Sequence, residues 1–242
     1  MIKPTKEFLE TFKNTKGAIG VAEAIAIINI ASQAPLGLTY LDLGSHAGKA
    51  AMAAAYGLTS TPCPYFGHPF YLVDPIYDFG NLEAWKHSEQ GHPDFADWLY
   101  AKEINFNDIV IRNIAKVSCG HLSANLCGSY SEAEIVKHDK IGYCFVDSDT
   151  HQGGLVLREA KLLEDRVVPY GIIAFHDFGN QFREPREAAE YLVGTGKYYW
   201  VDIDWGSIFD YVRENNLEDG NDSWHNKGSE EFPKFVGAVI RK

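Results

Sequence analysis

Cysteine is scarce in this 242-residue chain, and the four present, Cys63, Cys119, Cys127 and Cys144, form no CxxC pair and no zinc-type spacing. That argues against a disulfide-built scaffold or a cysteine metal site, and Cys144, inside an apolar run, reads as a small core residue in a reducing compartment. Long hydrophobic runs are also missing. The most apolar stretch, Ala18 to Ala34, is interrupted by Glu23, Asn29, Ser32 and Gln33. It falls short of the roughly 18 uninterrupted apolar residues of a membrane span, so a buried helix is expected there and no membrane partner. The opening MIKPTKEFLE lacks an apolar export core, so no secretory signal is read there and a cytoplasmic location is expected. Basic residues are in deficit, 22 against 33 acids, for a formal charge of −11 at pH 7. Phosphate backbones are bound by Lys and Arg that displace counterions, so no nucleic-acid partner is expected.

What is present suits an α/β fold. With 45% hydrophobic residues over 242, one domain is expected rather than two independent cores. Helical spacing marks Thr5 to Lys13, with Thr5 as N-cap, and Ala18 to Ala31. Further helices are read at Ala47 to Gly57, Ser131 to Lys137, Gly154 to Val167, where Val156, Ala160, Leu163 and Val167 share a face, and Pro185 to Val193. Between them lie short apolar runs expected as strands: one ending at Asp42, then Phe70 to Asp74, His121 to Cys127, Gly142 to Asp147, Gly171 to Phe175, Tyr198 to Ile203 and Phe235 to Ile240. Strand–helix alternation predicts a parallel sheet with helices on both faces. Ile76 to Ser118 has no clear alternation, and only Asp94 to Glu103 in it reads as helical.

The acids at the strand ends carry the functional signal. YLDLGSHAG (Tyr40 to Gly48), FYLVD (Phe70 to Asp74) and YCFVD (Tyr143 to Asp147) each place a carboxylate at or near the end of an apolar run. Open parallel sheets bind ligands outside the carboxyl ends of their strands, where strand order reverses. Gly44 and Gly48 depart from G-x-G-x-x-G, being four apart, and fit either a tight structural turn or a loop that lets a ligand approach the backbone. Asp74 fits either a solvated strand end or a carboxylate accepting hydrogen bonds from ribose hydroxyls.

Taken together, these stretches resemble the class I S-adenosylmethionine (SAM)-dependent methyltransferases, and within them the macrocin-O-methyltransferase-like group, whose fourth and fifth strands read like IDGDH and GGxxxxHD. The matching segments are FVDSDTH (Phe145 to His151) and YGIIAFHDF (Tyr170 to Phe178), which with YLDLGSHAG and FYLVDP carry the likeness from Lys16 to Gly179 in the family's order. The resemblance implies a Rossmann-like, doubly wound, seven-stranded sheet, mostly parallel with an antiparallel last strand. It implies one methyltransferase-like unit: N-terminal helices over 1–36, a cofactor-binding core over 37–195, and C-terminal strands with an aromatic-rich segment over 196–242. It also implies that Asp42, Gly44, Ser45 and Gly48, with Gly17 before the second helix, line the methionine part of SAM, that Asp74 holds the ribose, and that Ser129 and Tyr130 flank the adenine. Two departures stand out: Thr150 displaces the expected His to position 151, which re-aims any base there, and Tyr170-Gly171 replaces a glycine pair.

Members of this group bind a divalent cation through acids at the ends of strands four and five, which here gives Asp147, Asp149, His176 and Asp177 as candidate ligands. Oxygen donors favour Mg²⁺, and a His176 ligand moves the preference toward Mn²⁺ or another transition ion. Such an ion stabilises the deprotonated hydroxyl of an acceptor. The expected reaction is O-methylation of a small-molecule acceptor, with Asp147 and His151 as candidate catalytic residues. Two other readings remain open: a metal-dependent glycosyltransferase using the DxD at Asp147-Ser148-Asp149, and a cofactor-binding module without turnover. The aromatics Tyr198, Tyr199, Trp200, Trp205, Phe209, Tyr211 and Trp224 fit either core packing or a pocket wall.

Overall fold

The computed structural model describes residues 1–15, 17, 19–60, 66–77, 106–148, 153–179, 183–217 and 236–242. Thr5 caps the first helix, α1 (Lys6–Lys13), its hydroxyl accepting the Phe8 N–H. Helix α2 (Val21–Ala31) is buried along nearly its whole length, as expected of a helix apolar on every side. Its one acid, Glu23, accepts the Gly20 N–H at 2.7 Å, which satisfies an amide left over at the helix start. The chain then alternates: β1 (Thr39–Leu43), α3 (Lys49–Leu58), β2 (His68–Val73), a single 3₁₀ turn (Pro75–Tyr77), α4 (Phe106–Val117), β3 (Leu122–Cys127), α5 (Ser131–Ile135), β4 (Ile141–Val146), α6 (Leu155–Leu163), β5 (Val167–Phe175), α7 (Glu184–Gly194), β6 (Tyr198–Trp200), α8 (Trp205–Glu214) and β7 (Gly237–Arg241).

The strands form one sheet in the order β3-β2-β1-β4-β5-β7-β6. Pairing is parallel from β3 to β5, while β7 runs antiparallel to both β5 and β6. This is the doubly wound architecture implied by the sequence. Central strands buried on both faces send alternate residues to opposite layers. Tyr143 and Phe145 of β4 join the layer that holds α2 and α3, with Ile25, Met52 and Phe70. Cys144 and Val146 join the layer of α6 and α7, with Val156, Ala160 and Leu192.

Local differences from the sequence reading have physical causes. Val167 does not extend α6; the helix ends at Leu163, and Val167 pairs with Ile141 as the first residue of β5. The apolar spacing admits either assignment, but Ile141 N–H bonds to Arg166 O and so draws the chain into the ladder. The β4–β5 register then shifts between Ile141 and Tyr143. At that irregularity Tyr170 takes a left-handed φ of 64° with its ring exposed, a conformation that the family's glycine would adopt without strain. The strand read as Tyr198 to Ile203 stops at Trp200, because Asp204 caps α8 by accepting the Ser207 N–H at 3.0 Å. Neither α4 nor α8 was visible in the sequence. The helix read at Asp94 to Glu103, together with Cys63 and Trp224, lies outside the described residues.

Candidate functional site

Strand order reverses between β1 and β4, so the carboxyl ends of these two strands flank a crevice at the topological switch point. The ladders run just past the strands: Gly44 N–H bonds to Val73 O, Asp147 N–H to Leu43 O and His176 N–H to Val146 O, all within 2.8–3.0 Å. These bonds bring Gly44, Asp74, Asp147, His176 and Asp177 together at one end of the sheet. The turn after β1 is tight. Gly44 has φ +80°, and a Cβ on it would stand 2.1 Å from the Asp147 carbonyl oxygen, so the end of β4 itself requires a glycine there. Gly48, at φ +73°, precedes α3 and faces Val110 of α4. Ser45 is buried, its hydroxyl donating to Asp42 O at 2.7 Å. Gly17 abuts the first residue of α3, Lys49, whose ammonium lies 4.4 Å over the Phe12 ring.

The turn is clamped from β2. Asp74 accepts the His46 N–H on Oδ2 at 2.8 Å, and the Tyr77 hydroxyl donates to His46 O at 2.9 Å. Between them the His46 peptide is held with φ +46°, a conformation costly for a residue with a side chain. Burial, followed by the charges of Asp74 and Asp42, raises the Tyr77 pKa well above the usual phenol range, so the clamp keeps its proton. The sequence pattern marks neither His46 nor Tyr77, because their contact is tertiary, 31 positions apart.

Electrostatics at the strand ends is dominated by acids. Asp42 is fully buried, and neither of its carboxyl oxygens has a hydrogen bond of normal geometry among the described residues. Burial, then the charges of Asp147 and Asp74, raise its pKa well above the carboxylate range, and the Ala51 amide offsets only part of this. His176 is the basic counterpart. Its Nδ1 lies 3.0 Å from Asp147 Oδ1 and 3.5 Å from Asp177 Oδ2, and its Nε2 lies 3.1 Å from Glu23 Oε1. Burial opposes charge on this ring, but the charge of Asp147 and hydrogen bonds to Asp147, Asp177 and Glu23 outweigh it and raise the pKa well above the usual imidazole value. Glu23 belongs to no site motif, and the sequence shows it only as an acid interrupting an apolar helix. One donor atom each from Asp147, His176 and Asp177 lie within 4.8 Å of one another, which suits a divalent ion. Asp149 and His151 fall outside the described residues.

A second polar group follows β3. Ser129 donates to Glu134 at 2.9 Å, and Lys137 and His138 also engage that carboxylate. Burial works to raise the Glu134 pKa, but these three partners bring it down to about 2. Tyr130, at the head of α5, is 79% exposed. Behind it, the Ser131 and Ser148 hydroxyls both donate to the buried Glu159, which ties the residue after Asp147 to α5 and α6. The C-terminal aromatics divide: Tyr198 and Trp205 are core, while Tyr199 and Trp200 are exposed.

No protein-family model and no curated protein matches the sequence. Solved structures are similar in fold. An O-methyltransferase from Bacillus cereus in complex with SAH matches over 100% of this chain and 94% of its own, with TM-score 0.54 and 13% identity. The calicheamicin methyltransferase CalS11 matches over 90% and 76%, at 0.51 and 9%. The O-methyltransferase NovP matches over 93% and 81%, at 0.50 and 11%. At such identities the likeness is one of architecture, and the chain has a methyltransferase-like Rossmann fold.

Proposed function

We propose that this chain is a SAM-dependent methyltransferase that transfers a methyl group to the hydroxyl oxygen of a small-molecule acceptor, within the macrocin-O-methyltransferase-like group and as one unit over 1–242. The observation that carries the reading is the acidic crevice at the switch point, where a glycine turn clamped by Asp74 and Tyr77 meets an Asp42 carboxyl with no well-formed hydrogen bond. A cofactor bearing a sulfonium and an ammonium supplies the positive charge and the donors that this crevice calls for. In this reading Gly17, Asp42, Gly44, Ser45 and Gly48 receive the methionine part. Asp74, which also holds the His46 N–H, accepts from the ribose, and Ser129 and Tyr130 border the adenine. Among the described residues no helix is long and apolar enough to cross a membrane.

Methyl transfer asks little of the protein beyond alignment and removal of one proton. The acceptor oxygen bonds to the methyl carbon as the carbon–sulfur bond breaks and its electron pair returns to sulfur. Asp147, with its side chain 24% exposed, is the carboxylate positioned to take the hydroxyl proton; we also assign a base role to His151. His176 is a poor base, since both ring nitrogens already face carboxylates. Asp147, His176 and Asp177, joined by Asp149, are the residues that would hold a divalent cation. When bound, the ion lowers the pKa of the acceptor hydroxyl.

Calorimetry with SAM, followed by transfer of a labelled methyl group to a panel of hydroxylated acceptors, tests the reading. Wild type is expected to bind, and Asp74→Ala to bind about 10–100-fold more weakly, the worth of charge-assisted hydrogen bonds. Absence of SAM binding to the wild-type chain, or tighter binding of a UDP-sugar, would overturn it. Turnover unchanged by EDTA and by Asp177→Ala would remove the cation alone.

A further inference from the structure

We propose that Glu23 is a positioning residue that turns Nδ1 of His176 toward the crevice, so that the strand-end cation site carries one nitrogen donor and prefers Mn²⁺ or another transition ion to Mg²⁺. The inference rests on the cation reading above and deepens it. Glu23 reaches His176 from a helix 153 positions earlier in the chain, with its Oε1 3.1 Å from Nε2. Its other oxygen is fixed by the Gly20 N–H at 2.7 Å, and the carboxylate is 3% exposed in a helix packed into the core. It therefore cannot swing away.

A carboxylate only accepts, so Glu23 keeps a hydrogen on Nε2 and leaves the lone pair of a neutral ring at Nδ1. That is the arrangement in which a carboxylate behind a histidine fixes its tautomer and raises its basicity as a ligand. The spacing at Nδ1 fits. An ion about 2.1 Å from its donors holds adjacent donors about 3 Å apart, and Nδ1 lies 3.0 Å from Asp147 Oδ1 and 3.5 Å from Asp177 Oδ2. Around the ring stand three carboxylates, Asp147 and Asp177 at Nδ1 and Glu23 behind Nε2, more negative charge than one imidazole compensates. Nitrogen favours transition ions, whereas Mg²⁺ keeps to oxygen and water.

The test is metal binding by the full chain stripped with EDTA. Mn²⁺ and Mg²⁺ would be titrated by calorimetry, and Co²⁺ followed by its visible absorption, for wild type, Glu23→Gln, His176→Asp and the double variant. Glu23→Gln keeps an oxygen for Gly20 but presents an NH₂ to Nε2, which drives the ring hydrogen onto Nδ1 and blocks ligation. Wild type is expected to favour Mn²⁺ over Mg²⁺, Glu23→Gln to lose about 10–100-fold in Mn²⁺ affinity with a shifted Co²⁺ spectrum, and His176→Asp to lose the preference. Adding Glu23→Gln to His176→Asp should then change affinity less than about 3-fold, as expected when one residue acts only through the other.

Glu23→Gln binding Mn²⁺ like wild type, with the same Co²⁺ spectrum, would overturn the role of Glu23 and leave the cation site standing. A double variant that also loses its ions would show that Glu23 does not act through His176, and would likewise overturn it. A wild-type chain that takes up none of the three ions ends both this inference and the cation reading, while leaving SAM binding to be judged by its own titration.

Discussion

One added methyl group at Gly44 tests whether the two strand ends are built against each other. An alanine Cβ there would stand 2.1 Å from the Asp147 carbonyl oxygen, 2.6 Å from its carbon and 2.9 Å from Ser148 Cα. Carbon and oxygen in close contact sit about 3.3–3.6 Å apart, so the β1 turn and the end of β4 must separate by more than about 1 Å. Gly44 also has φ +80°, where a side chain costs about 1–2 kcal/mol, and the overlap adds about 1–3 kcal/mol. Gly120 supplies the control: its φ is +77° but nothing lies within 4 Å of an added Cβ, so Gly120→Ala carries the backbone cost alone. With about 2–4 °C per kcal/mol for a chain of this size, Gly44→Ala should melt roughly 2–12 °C below Gly120→Ala. If the chain transfers methyl groups as proposed, a displacement near 1 Å at Asp147 should also cost about 100-fold in that transfer. Thermal unfolding, SAM calorimetry and turnover of both variants check this. If Gly44→Ala melted with Gly120→Ala and bound SAM as wild type does, the close approach of the two strand ends would be refuted.

Tyr77→Phe removes the hydroxyl that holds His46 O and should cost about 1 kcal/mol of stability, together with a several-fold loss of SAM affinity read by calorimetry; unchanged affinity would mean that Asp74 clamps the turn alone. The folded pKa of Asp42 is raised by burial and then by Asp147 and Asp74, so the folded state binds more protons than the unfolded one above the ordinary Asp value. Its contribution to stability therefore falls as pH rises toward the folded value, and Asp42→Asn should flatten that decline in urea unfolding between pH 4 and 7 while weakening SAM binding. Glu134 runs the other way. Its pKa is lowered to about 2 by its three partners, so its stabilisation is present above the ordinary Glu value and is lost as pH falls through about 2. Because Lys137 is 58% exposed and solvent screens its pair with Glu134, Glu134→Gln should remove only about 1 kcal/mol at neutral pH and erase this acid dependence in urea unfolding.

Much of the fold was legible because buried parallel strands announce themselves as short apolar runs: IGYCFV of β4 is buried at every position, and its closing acid follows at once. The glycine turn and Asp74 were legible for the same reason. Helix α8 was not, since WGSIFDYVRE is rich in aromatic and β-branched residues that suit strands equally, and the Asp204 cap decided the outcome. Val167 satisfied the helical spacing but was claimed by the ladder with Ile141. Glu23 and Tyr77 escaped because their partners, His176 and His46, are tertiary neighbours separated by 153 and 31 positions, and no spacing rule connects them. Glu23 nevertheless left a trace, an acid in the first turn of a helix buried nearly throughout, where a carboxylate persists only if something partners it.

Those tertiary neighbours change the meaning of the acids that the sequence did reveal. Read singly, Asp42, Asp74, Asp147 and Asp177 are strand-end carboxylates of an ordinary kind. Brought together with Glu23, they form a concentration of negative charge in which like charges disfavour joint ionisation, and the chain meets it in three ways. Burial and its acidic neighbours raise the pKa of Asp42, Asp74 spends an oxygen on a backbone amide, and the His176 ring, whose pKa is raised in spite of its burial, stands between Asp147 and Glu23. Under the proposed function each device is provisional, because a bound sulfonium, ammonium or metal ion would provide the same compensation from outside. Ligands of that charge would therefore displace protons from the crevice as they bind.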